Sequence, residues 1–426
     1  MSELSYLEKL LDGVEVEWLP LSKVFNLRNG YTPSKTKKEF WANGDIPWFR
    51  MDDIRENGRI LGNSLQKISS CAVKGGKLFP ENSILISTSA TIGEHALITV
   101  PHLANQRFTC LALKESYADC FDIKFLFYYC FSLAEWCQKN TTMSSFASVD
   151  MDGFKKFLIP RPCPDNPEKS LAIQSEIVRI LDKFTALTAE LTAELTAELN
   201  MRKKQYNYYR DQLLSFDEEQ EKPIYLEKLL DGVEVEWKLL GDASFFEIAN
   251  NGRKPVKSSL RIAGKTPYYG ANNIQDYVDG YTHDGEYVLI AEDGSASLEN
   301  YSIQYATGKF WANNHVHVVR GKTRVNSRFL FHYLHIVNFI PFLTGGVRAK
   351  LTKGQLIEIS VPIPCPDNTE KSLAIQAEIV RILDKFDTLT NSITEGLPRE
   401  IELRQKQYEY YRDLLFSFPK PETVSN

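Results

Sequence analysis

Residues 163–184 read CPDNPEKSLAIQSEIVRILDKF and residues 365–386 read CPDNTEKSLAIQAEIVRILDKF, so the block returns 202 positions later (163 to 365) with two substitutions. The same offset carries RKKQYNYYRDQLLSF at 202–216 onto RQKQYEYYRDLLFSF at 404–418. An internal repeat of this length predicts two copies of one structural unit within the chain.

A further repeat, YLEKLLDGVEVEW, begins at Tyr6 and again at Tyr225. We call all of the repeated segments the frame. The stretches that the frame encloses do not align convincingly, and we call them head 1 (19–162) and head 2 (238–364). A near-identical frame around divergent heads predicts one scaffold that presents two different surfaces. At 426 residues, the chain is long enough for at least two domains with separate cores.

The formal net charge of −5 is unevenly distributed. Head 1 has 18 Lys and Arg against 13 Asp and Glu, head 2 has 14 against 10, and the rest of the chain therefore carries −14. Basic heads on an acidic frame fit heads that face phosphate and a frame that faces protein, because phosphate neutralisation dominates nucleic-acid affinity. Random scatter of charge is the alternative.

The composition excludes several classes of protein. Hydrophobic residues make up 43% and charged residues 25%, as in an ordinary globular protein rather than a disordered one. No stretch reaches the roughly 18 uninterrupted apolar residues of a membrane span, so we expect a cytoplasmic protein without a membrane partner. The seven cysteines include no CxxC pair and no histidine at ligand spacing, so we expect buried thiols rather than a zinc site or disulfides.

The frame predicts long helices. Asn166 is a natural N-cap and Pro167 suits the first helical position, so one helix should begin near Glu168 and continue to about Phe216. A helix of that length spans roughly 70 Å and needs a partner along much of it.

The second copy should begin near Thr369 and break before Pro398. We expect the two helical regions to pack as an antiparallel coiled coil with internal pseudo-two-fold symmetry.

A tetrad repeat, TAELTAELTAEL, lies within the first long helix. One TAEL more or less would move the far end by roughly 6 Å and turn it by roughly 40°. That angle is close to the roughly 34–36° of one DNA base-pair step. We hypothesise that the run is a ruler between the heads, and a helical filler without a metric role is the alternative. The ruler leucines are Leu187, Leu191, Leu195 and Leu199.

Together, the lead YLEKLLDGVEVEW, the CPDN-EKSLAIQ blocks and the tetrads resemble the specificity (S) subunit of type I restriction-modification systems, and the TAEL run resembles its IC-like subfamily. The resemblance covers nearly the whole chain. It implies an α+β fold in which two mixed α/β target recognition domains are joined by the two helical regions. The implied domains are a lead segment (1–18), target recognition domain 1 (19–162), a helical spacer (163–216), a linker with the repeated lead (217–237), target recognition domain 2 (238–364) and a C-terminal helical region (365–426).

The resemblance also implies a function. Such a subunit carries no chemistry, reads a bipartite target in double-stranded DNA, and docks two DNA-methyltransferase (M) subunits that methylate adenine N6. Motor-nuclease (R) subunits join through the M subunits. No cofactor is expected on this chain, and S-adenosylmethionine, ATP and Mg²⁺ are expected on the partners. The implied location is the bacterial cytoplasm.

Enzymatic machinery is not recognisable in the sequence. There is no [DN]PP[FYW] tetrad for a flipped adenine, no GxGxxG after a strand and no GxxxxGK[ST]. Two other classes stay open as alternatives, namely a self-sufficient DNA modification enzyme and a coiled-coil protein scaffold.

In head 1, Ile84–Ile86 predicts a buried strand with a polar exit, and Gly93 allows a tight turn. Arginine, asparagine and glutamine fit the edges of guanine and adenine, whereas hydroxyls and lysine mainly position on phosphate. For Gln106 and Arg107, a loop-capping amide and a surface arginine are the alternative. The candidate DNA contacts of head 1 are Arg28, Thr88, Ser89, Thr91, Asn105, Gln106 and Arg107.

The layout of head 2 echoes that of head 1, with VLIAEDGSAS in the place of ILISTSATIG and FWANNHVHVV in the place of LANQRFTCLAL. Glu292 and Asp293 could accept from cytosine N4, although paired carboxylates also invite a catalytic or metal interpretation, which we do not favour because no further ligand accompanies them. No metal or catalytic residue is assigned. The candidate DNA contacts of head 2 are Tyr269, Asn272, Asn273, Ser295, Asn313, Asn314, His315, Arg348 and Lys350.

Overall fold

The chain consists of two compact units in the computed structural model. Unit 1 comprises Met1–Thr192 and Leu403–Asn426, and unit 2 comprises Ala193–Glu402. Head 1 therefore belongs to unit 1 and head 2 to unit 2, each with part of the frame. The two units are separated by which residues contact one another, whereas the domain boundaries predicted from the sequence follow the ends of the repeated segments. The structure describes residues 6–143, 147–216, 224–345, 349–392 and 395–420.

Head 1 is built on a five-stranded sheet of order β2-β9-β6-β7-β4 and a three-stranded sheet of order β5-β3-β8. The central strand β6 is buried at all five positions, as its apolar run predicts. The elements of the lead segment and head 1 are, in chain order, α1 (Tyr6–Leu11), β1 (Val16–Pro20), α2 (Leu21–Val24), β2 (Phe25–Asn29), β3 (Ile46–Phe49), α3 (Met51–Asn57), β4 (Ile60–Leu61), β5 (Lys67–Ile68), β6 (Ser83–Ser87), β7 (His95–Ile98), β8 (Leu103–Ala104), β9 (Phe108–Leu113), α4 (Ile123–Lys139), β10 (Thr141–Met143), β11 (Ala147–Val149), α5 (Met151–Lys156) and β12 (Leu158–Pro162).

Head 2 has two four-stranded sheets, of order β14-β21-β18-β19 and β16-β15-β20-β17. The long helix α6 (Pro167–Leu214) precedes it. The elements that follow are α7 (Ile224–Leu230), β13 (Val235–Leu239), β14 (Phe246–Ile248), β15 (Ala263–Tyr269), β16 (Ile274–Val278), β17 (His283–Asp284), β18 (Tyr287–Ala291), β19 (Ile303–Ala306), β20 (Lys309–Ala312), β21 (Val316–Gly321), α8 (Ser327–Leu334), α9 (Lys353–Leu356), β22 (Ser360–Pro364), α10 (Thr369–Asn391) and α11 (Gly396–Leu415).

The frame helices confirm the expected starts and the expected break. Asn166 caps α6 by accepting a hydrogen bond from the Lys169 N–H at 3.0 Å, and Asn368 caps α10 in the same way. The second helical region stops at the end of α10 and resumes at Gly396, two residues before Pro398. Gly396 has φ +82°, and a Cβ there would meet the Thr388 carbonyl oxygen at 2.6 Å, so glycine is required at this break.

Each unit pairs frame helices through the same aromatic contact. In unit 1 the rings of Phe184 and Tyr411 lie 5.7 Å apart, and in unit 2 those of Phe386 and Tyr209 lie 5.5 Å apart. The two pairs are related by the 202-residue offset. The buried apolar face of the helix, including Ile177 and Ile379, packs into the core of its own unit.

A buried glutamine docks each head on its frame helix. In unit 1, Gln174 Oε1 accepts from the Asp122 N–H at 2.9 Å, and its Nε2 donates to the Cys120 carbonyl at 2.9 Å. In unit 2, Gln376 makes the equivalent bonds to Asn326 and Arg324 at 2.8 and 3.2 Å. The polar side chain of the repeated LAIQ motif therefore ties each frame helix to the turn that begins α4 in head 1 or α8 in head 2.

Each lead segment forms a strand that pairs with the last strand of the following head. The lead strand β1 pairs antiparallel with β12, and β13 pairs with β22, so the sequence-based boundary at 18/19 lies inside a strand. All seven cysteines are free. Cys110, Cys130 and Cys137 are buried, but Cys120, Cys163 and Cys365 are only half-buried and Cys71 is exposed, so the expectation of buried thiols was right for three of the seven. Within the described ranges, none of the helices is both long and apolar enough to cross a membrane.

Candidate nucleic-acid interface

The exits of the two central strands have the same geometry in both heads. After β6, the Thr88 N–H donates to the Arg107 carbonyl at 2.9 Å, and after β18 the Glu292 N–H donates to the His315 carbonyl at 2.8 Å. Asn105 and Asn313 begin the turns before β9 and β21. This equivalence confirms the predicted echo between the two sequences.

A third segment closes each exit. The Val149 N–H donates to the Thr88 carbonyl at 3.0 Å in head 1, and the Leu351 N–H donates to the Glu292 carbonyl at 2.8 Å in head 2. Three distant stretches thus meet at one edge of each head. We call these edges tip 1 (residues 88–92, 105–107 and strands β10 and β11) and tip 2 (residues 292–295, 313–315, 344–345 and 349–351).

In tip 1, three of the candidate side chains bind within the head. Asn105 Oδ1 accepts from the Arg107 N–H at 3.0 Å, and Gln106 Oε1 accepts from the Thr32 hydroxyl. Thr88 Oγ1 lies 3.1 Å from Thr109 Oγ1. By contrast, the exposed guanidinium of Arg107 has no partner among the described residues. Gln106 is therefore bound within the head, as its alternative interpretation expected, and Arg107 is an exposed arginine whose guanidinium is free among the described residues.

The other candidates of head 1 are held in different ways. Arg28 donates through its two terminal nitrogens to the carbonyls of Leu78 and Lys77 at 2.9 and 3.1 Å. Ser89 accepts from the Ser87 hydroxyl through its carbonyl at 3.0 Å. The Thr91 hydroxyl is buried and makes no hydrogen bond to the described part of the chain.

In tip 2, three candidates stabilise loops. Asn313 is buried and accepts from the His315 N–H at 2.8 Å, while Asn272 donates to the Gly294 carbonyl at 2.8 Å. Ser295 donates to the Ser297 carbonyl at 2.7 Å. These side chains shape the tip, and whether they also touch DNA stays a prediction.

The remaining candidates of head 2 differ in whether their side chains contact other residues of the head. Asn314 is exposed, and its amide finds no partner in the ranges that the structure covers. His315 Nδ1 lies 2.5 Å from Asp293 Oδ1. Tyr269 is half-buried against the edge of Phe310, and the backbone oxygen of Asn273 accepts from the Gly270 N–H. Arg348 lies outside the described residues.

An ionic cluster in tip 2 was missed by sequence reasoning. Glu292 Oε2 lies 2.6 Å from the Arg253 guanidinium, and Glu292 Oε1 lies 2.9 Å from Lys350 Nζ. Burial opposes ionisation of Glu292, but the hydrogen bonds from Arg253 and Lys350 outweigh it, so its pKa is lowered. Arg253 lies 39 positions from Glu292 in the chain, and no local pattern in the sequence connects them.

A buried histidine extends this cluster. His317 accepts at Nδ1 from the Asn250 amide at 2.9 Å and donates from Nε2 to the Leu351 carbonyl at 2.7 Å. Burial lowers its pKa, so the ring is neutral at pH 7. Thr109 holds the equivalent place in head 1 and donates to Asn29 at 3.0 Å. The same framework therefore carries two neutral hydroxyls in tip 1, and an ionised carboxylate with a neutral imidazole in tip 2.

A second feature missed from the sequence is a basic depression on head 1. It has a volume of about 520 Å³, and the rings of Trp41 and Trp48 meet edge to face at 5.0 Å in its wall. Arg50 follows Phe49, whose carbonyl accepts from the Asn105 N–H at 3.0 Å, so the depression adjoins tip 1. The residues that line it are Lys35, Lys38, Trp41, Ala42, Trp48, Arg50 and Gln66.

Glu292 and Asp293 do not form part of a metal-ligating group. In the part of the chain that the structure describes, no three His, Cys, Asp or Glu side chains come together in a way that could hold a metal ion. The chemistry that the tips offer is hydrogen bonding and charge.

Comparison with known proteins gives a consistent result. A family model described as "Type I restriction modification DNA specificity domain" matches residues 13–201 and 234–403. The specificity subunit of the type I restriction enzyme EcoprrI from Escherichia coli is 66% identical over 400 residues, which cover 93% of each chain. The EcoR124I/EcoR124II specificity subunit of Escherichia coli is 38% identical over 465 aligned positions and 100% of both chains.

Structural similarity agrees with this at the level of the fold. A solved chain from work on complex assembly and conformational transition of the type I restriction-modification system has a TM-score of 0.56 at 16% identity, covering 94% of this chain and 97% of that chain. Because the same family model matches each half of the repeat and the relatives align over 93% or more of the sequence, this chain belongs to the family of type I restriction-modification DNA specificity subunits.

Proposed function

We propose that this chain is the noncatalytic DNA-specificity subunit of a type I restriction-modification complex, and that its two heads read the two halves of a bipartite DNA target. One observation carries the proposal: tips 1 and 2 share a backbone framework but present different side chains. Arg107 occupies the place of His315, and Thr88 occupies that of Glu292. Equivalent docking with different hydrogen-bonding groups is what two unlike half-sites require.

The free side chains of the tips suit base edges. An arginine such as Arg107 can donate two hydrogen bonds to guanine, and an amide such as that of Asn314 can bond adenine through both of its groups. The basic depression with Lys35, Lys38 and Arg50 suits the phosphates beside tip 1, because lysine and arginine there would release counterions from the duplex. Base readout and backbone contact would thus lie next to each other on head 1.

The frame supports docking of two identical partners. Tyr208 is 61% exposed and Tyr410, its counterpart in the repeat, is 63% exposed, each beside a second exposed tyrosine on its helix. Two equivalent aromatic surfaces on an acidic frame fit two copies of one protein. We infer that these are the M subunits, with R subunits bound through them. S-adenosylmethionine, ATP and Mg²⁺ then belong to the partners, and the complex works in the bacterial cytoplasm.

The finer architecture belongs to the same proposal. In unit 1, Phe184 meets Tyr411 while Thr185 meets Tyr408 at 3.1 Å, so α6 and α11 run in opposite directions there. The equivalent contact of Phe386 with Tyr209 in unit 2 supports a frame of two equivalent antiparallel helix pairs. Coiled-coil packing of these pairs follows from their length and their apolar stripes.

Mapping methylated adenines tests the proposal. DNA from cells that carry this chain with its M subunits should show one bipartite motif with a fixed spacer. Arg107→Ala should relax one half of that motif by about 1–3 kcal/mol, roughly 5- to 150-fold, and Asn314→Ala should relax the other half. Methylation without a bipartite motif would refute the proposal, as would methyl transfer by the purified chain alone.

A further inference from the structure

Glu292 occupies the centre of tip 2, where three segments converge. Its side chain is only 16% exposed, and it binds Arg253 from the turn after β14 and Lys350 from the segment before α9. The carboxylate therefore lies between two cations. Arg253 also donates to the Asn250 and Val316 carbonyls at 3.1 and 2.8 Å, so Lys350, whose side chain is 45% exposed, is the cation whose position depends on Glu292.

The same cluster fixes the segment that carries Lys350. Thr344 and Lys350 exchange backbone hydrogen bonds at 2.9 and 2.7 Å. Leu351 is held at both of its backbone groups, because its N–H donates to the Glu292 carbonyl at 2.8 Å and its carbonyl accepts from His317 at 2.7 Å. Glu292 thus joins the segment to the strand exit through its backbone and through its side chain.

Tip 1 joins its third segment to the strand exit without a charged side chain. The strand β11 joins the exit of β6 through the Val149 N–H, and the Thr88 and Thr109 hydroxyls lie where the Glu292 carboxylate and the His317 ring lie in tip 2. The backbone hydrogen bonds of the tip therefore form without a carboxylate at this position. We look for a role of the Glu292 carboxylate that is specific to head 2.

We propose that Glu292 is a specificity-determining positioning residue of head 2, which holds Lys350 away from DNA phosphate and fixes the Lys350–Leu351 segment beside the base-reading turn. Lys350, a candidate DNA contact by sequence, is in this arrangement a partner of Glu292 and not a phosphate contact. The carboxylate lowers nonspecific affinity and raises discrimination together. The inference rests on the proposal that tip 2 faces DNA.

Glu292→Gln in the assembled complex of this chain with its M subunits is the main test. Neutralising the carboxylate releases Lys350 at the DNA surface, and each new phosphate contact steepens the dependence of log affinity on log salt by about 0.9. At 0.1 M salt, that slope corresponds to roughly an eightfold gain per contact for nonspecific duplex. Discrimination at the head 2 half-site should fall about tenfold, while the head 1 half-site is read as before.

Two further variants separate positioning from general damage. Glu247→Gln frees Arg320 near the other end of β21 in the same head, so it should change neither the salt slope nor the discrimination. Lys350→Met alone should leave nonspecific affinity unchanged and still lower discrimination, because Lys350 is bound to Glu292 and not to phosphate. It also serves as the second test if Glu292→Gln folds poorly.

The outcomes are distinguishable. Opposite changes in nonspecific affinity and discrimination for Glu292→Gln support the inference, because a merely structural defect lowers both. If Glu292→Gln lowers both nonspecific affinity and discrimination, or changes neither, the inference is wrong. It is also wrong if Lys350→Met reduces the salt slope of DNA binding by about one unit, because that loss would mean that Lys350 contacts phosphate. If the unmutated complex shows no preference between cognate and altered half-sites, the proposed function itself fails.

Discussion

The buried glutamine of the LAIQ motif offers a sharp test of how a head is fixed to its frame. Gln376 is fully buried and satisfies three groups, since it accepts from the Asn326 N–H at 2.8 Å and donates to the Arg324 carbonyl at 3.2 Å and the Ser372 hydroxyl at 3.0 Å. Asn326 in turn caps α8 through its side chain. Gln376→Leu keeps the approximate volume and removes every one of these bonds.

The expected loss follows from the groups left without a partner. An unsatisfied buried amide or carbonyl costs about 1–3 kcal/mol, and leucine recovers part of this through apolar burial, so we expect unit 2 to lose about 2–4 kcal/mol of unfolding free energy. Unit 2 spans 210 residues, for which each kcal/mol lowers the melting temperature by about 2–4 °C, giving a decrease of roughly 5–15 °C.

Thermal unfolding of the full chain measures this decrease, and hydrogen exchange at the Asn326 amide locates it. The matched control is Ala377→Ser, which introduces at an exposed neighbouring position the residue that the first copy carries as Ser175, and should change stability by less than about 0.5 kcal/mol. The reasoning is wrong if Gln376→Leu melts within 2 °C of the unmutated chain with the Asn326 amide still protected.

Three further predictions concern pH, spacing and phosphate contact. Burial lowers the pKa of His95 to about 3 and of His102 to about 4. As the pH falls from 7.5 to 5.5, these histidines therefore become protonated in the unfolded chain but stay neutral in the folded chain. The free energy of unfolding of unit 1 should then fall by about 1.4 kcal/mol per histidine. Denaturant titrations at the two pH values measure the loss, and His102→Leu should remove about half of it. Deleting or adding one TAEL should change the spacer of the methylated motif, and an unchanged spacer would leave the run as filler. Lys35→Ala combined with Lys38→Ala should lower the salt slope of DNA binding by up to about two units without altering the motif, whereas a changed motif would contradict phosphate contact.

Local patterns in the sequence decided a large part of this fold. The asparagine caps place the starts of α6 and α10, the glycine-proline pair places the break before α11, and the apolar run of β6 predicts a buried strand. These features depend on neighbours within a few residues, where side-chain periodicity and backbone preference act directly. The repeat extended each such inference to the second copy.

Only the tertiary structure decided which candidate side chains are available. Asn105 and Arg107 look equivalent as base-reading residues in the sequence, yet the amide caps its own turn and the guanidinium is free. Lys350 became a partner of Glu292 because the sheets bring Arg253, Glu292 and Lys350 together from positions tens of residues apart. Strand register and loop closure over such separations are fixed by packing of the whole head, and no local pattern in the chain encodes them.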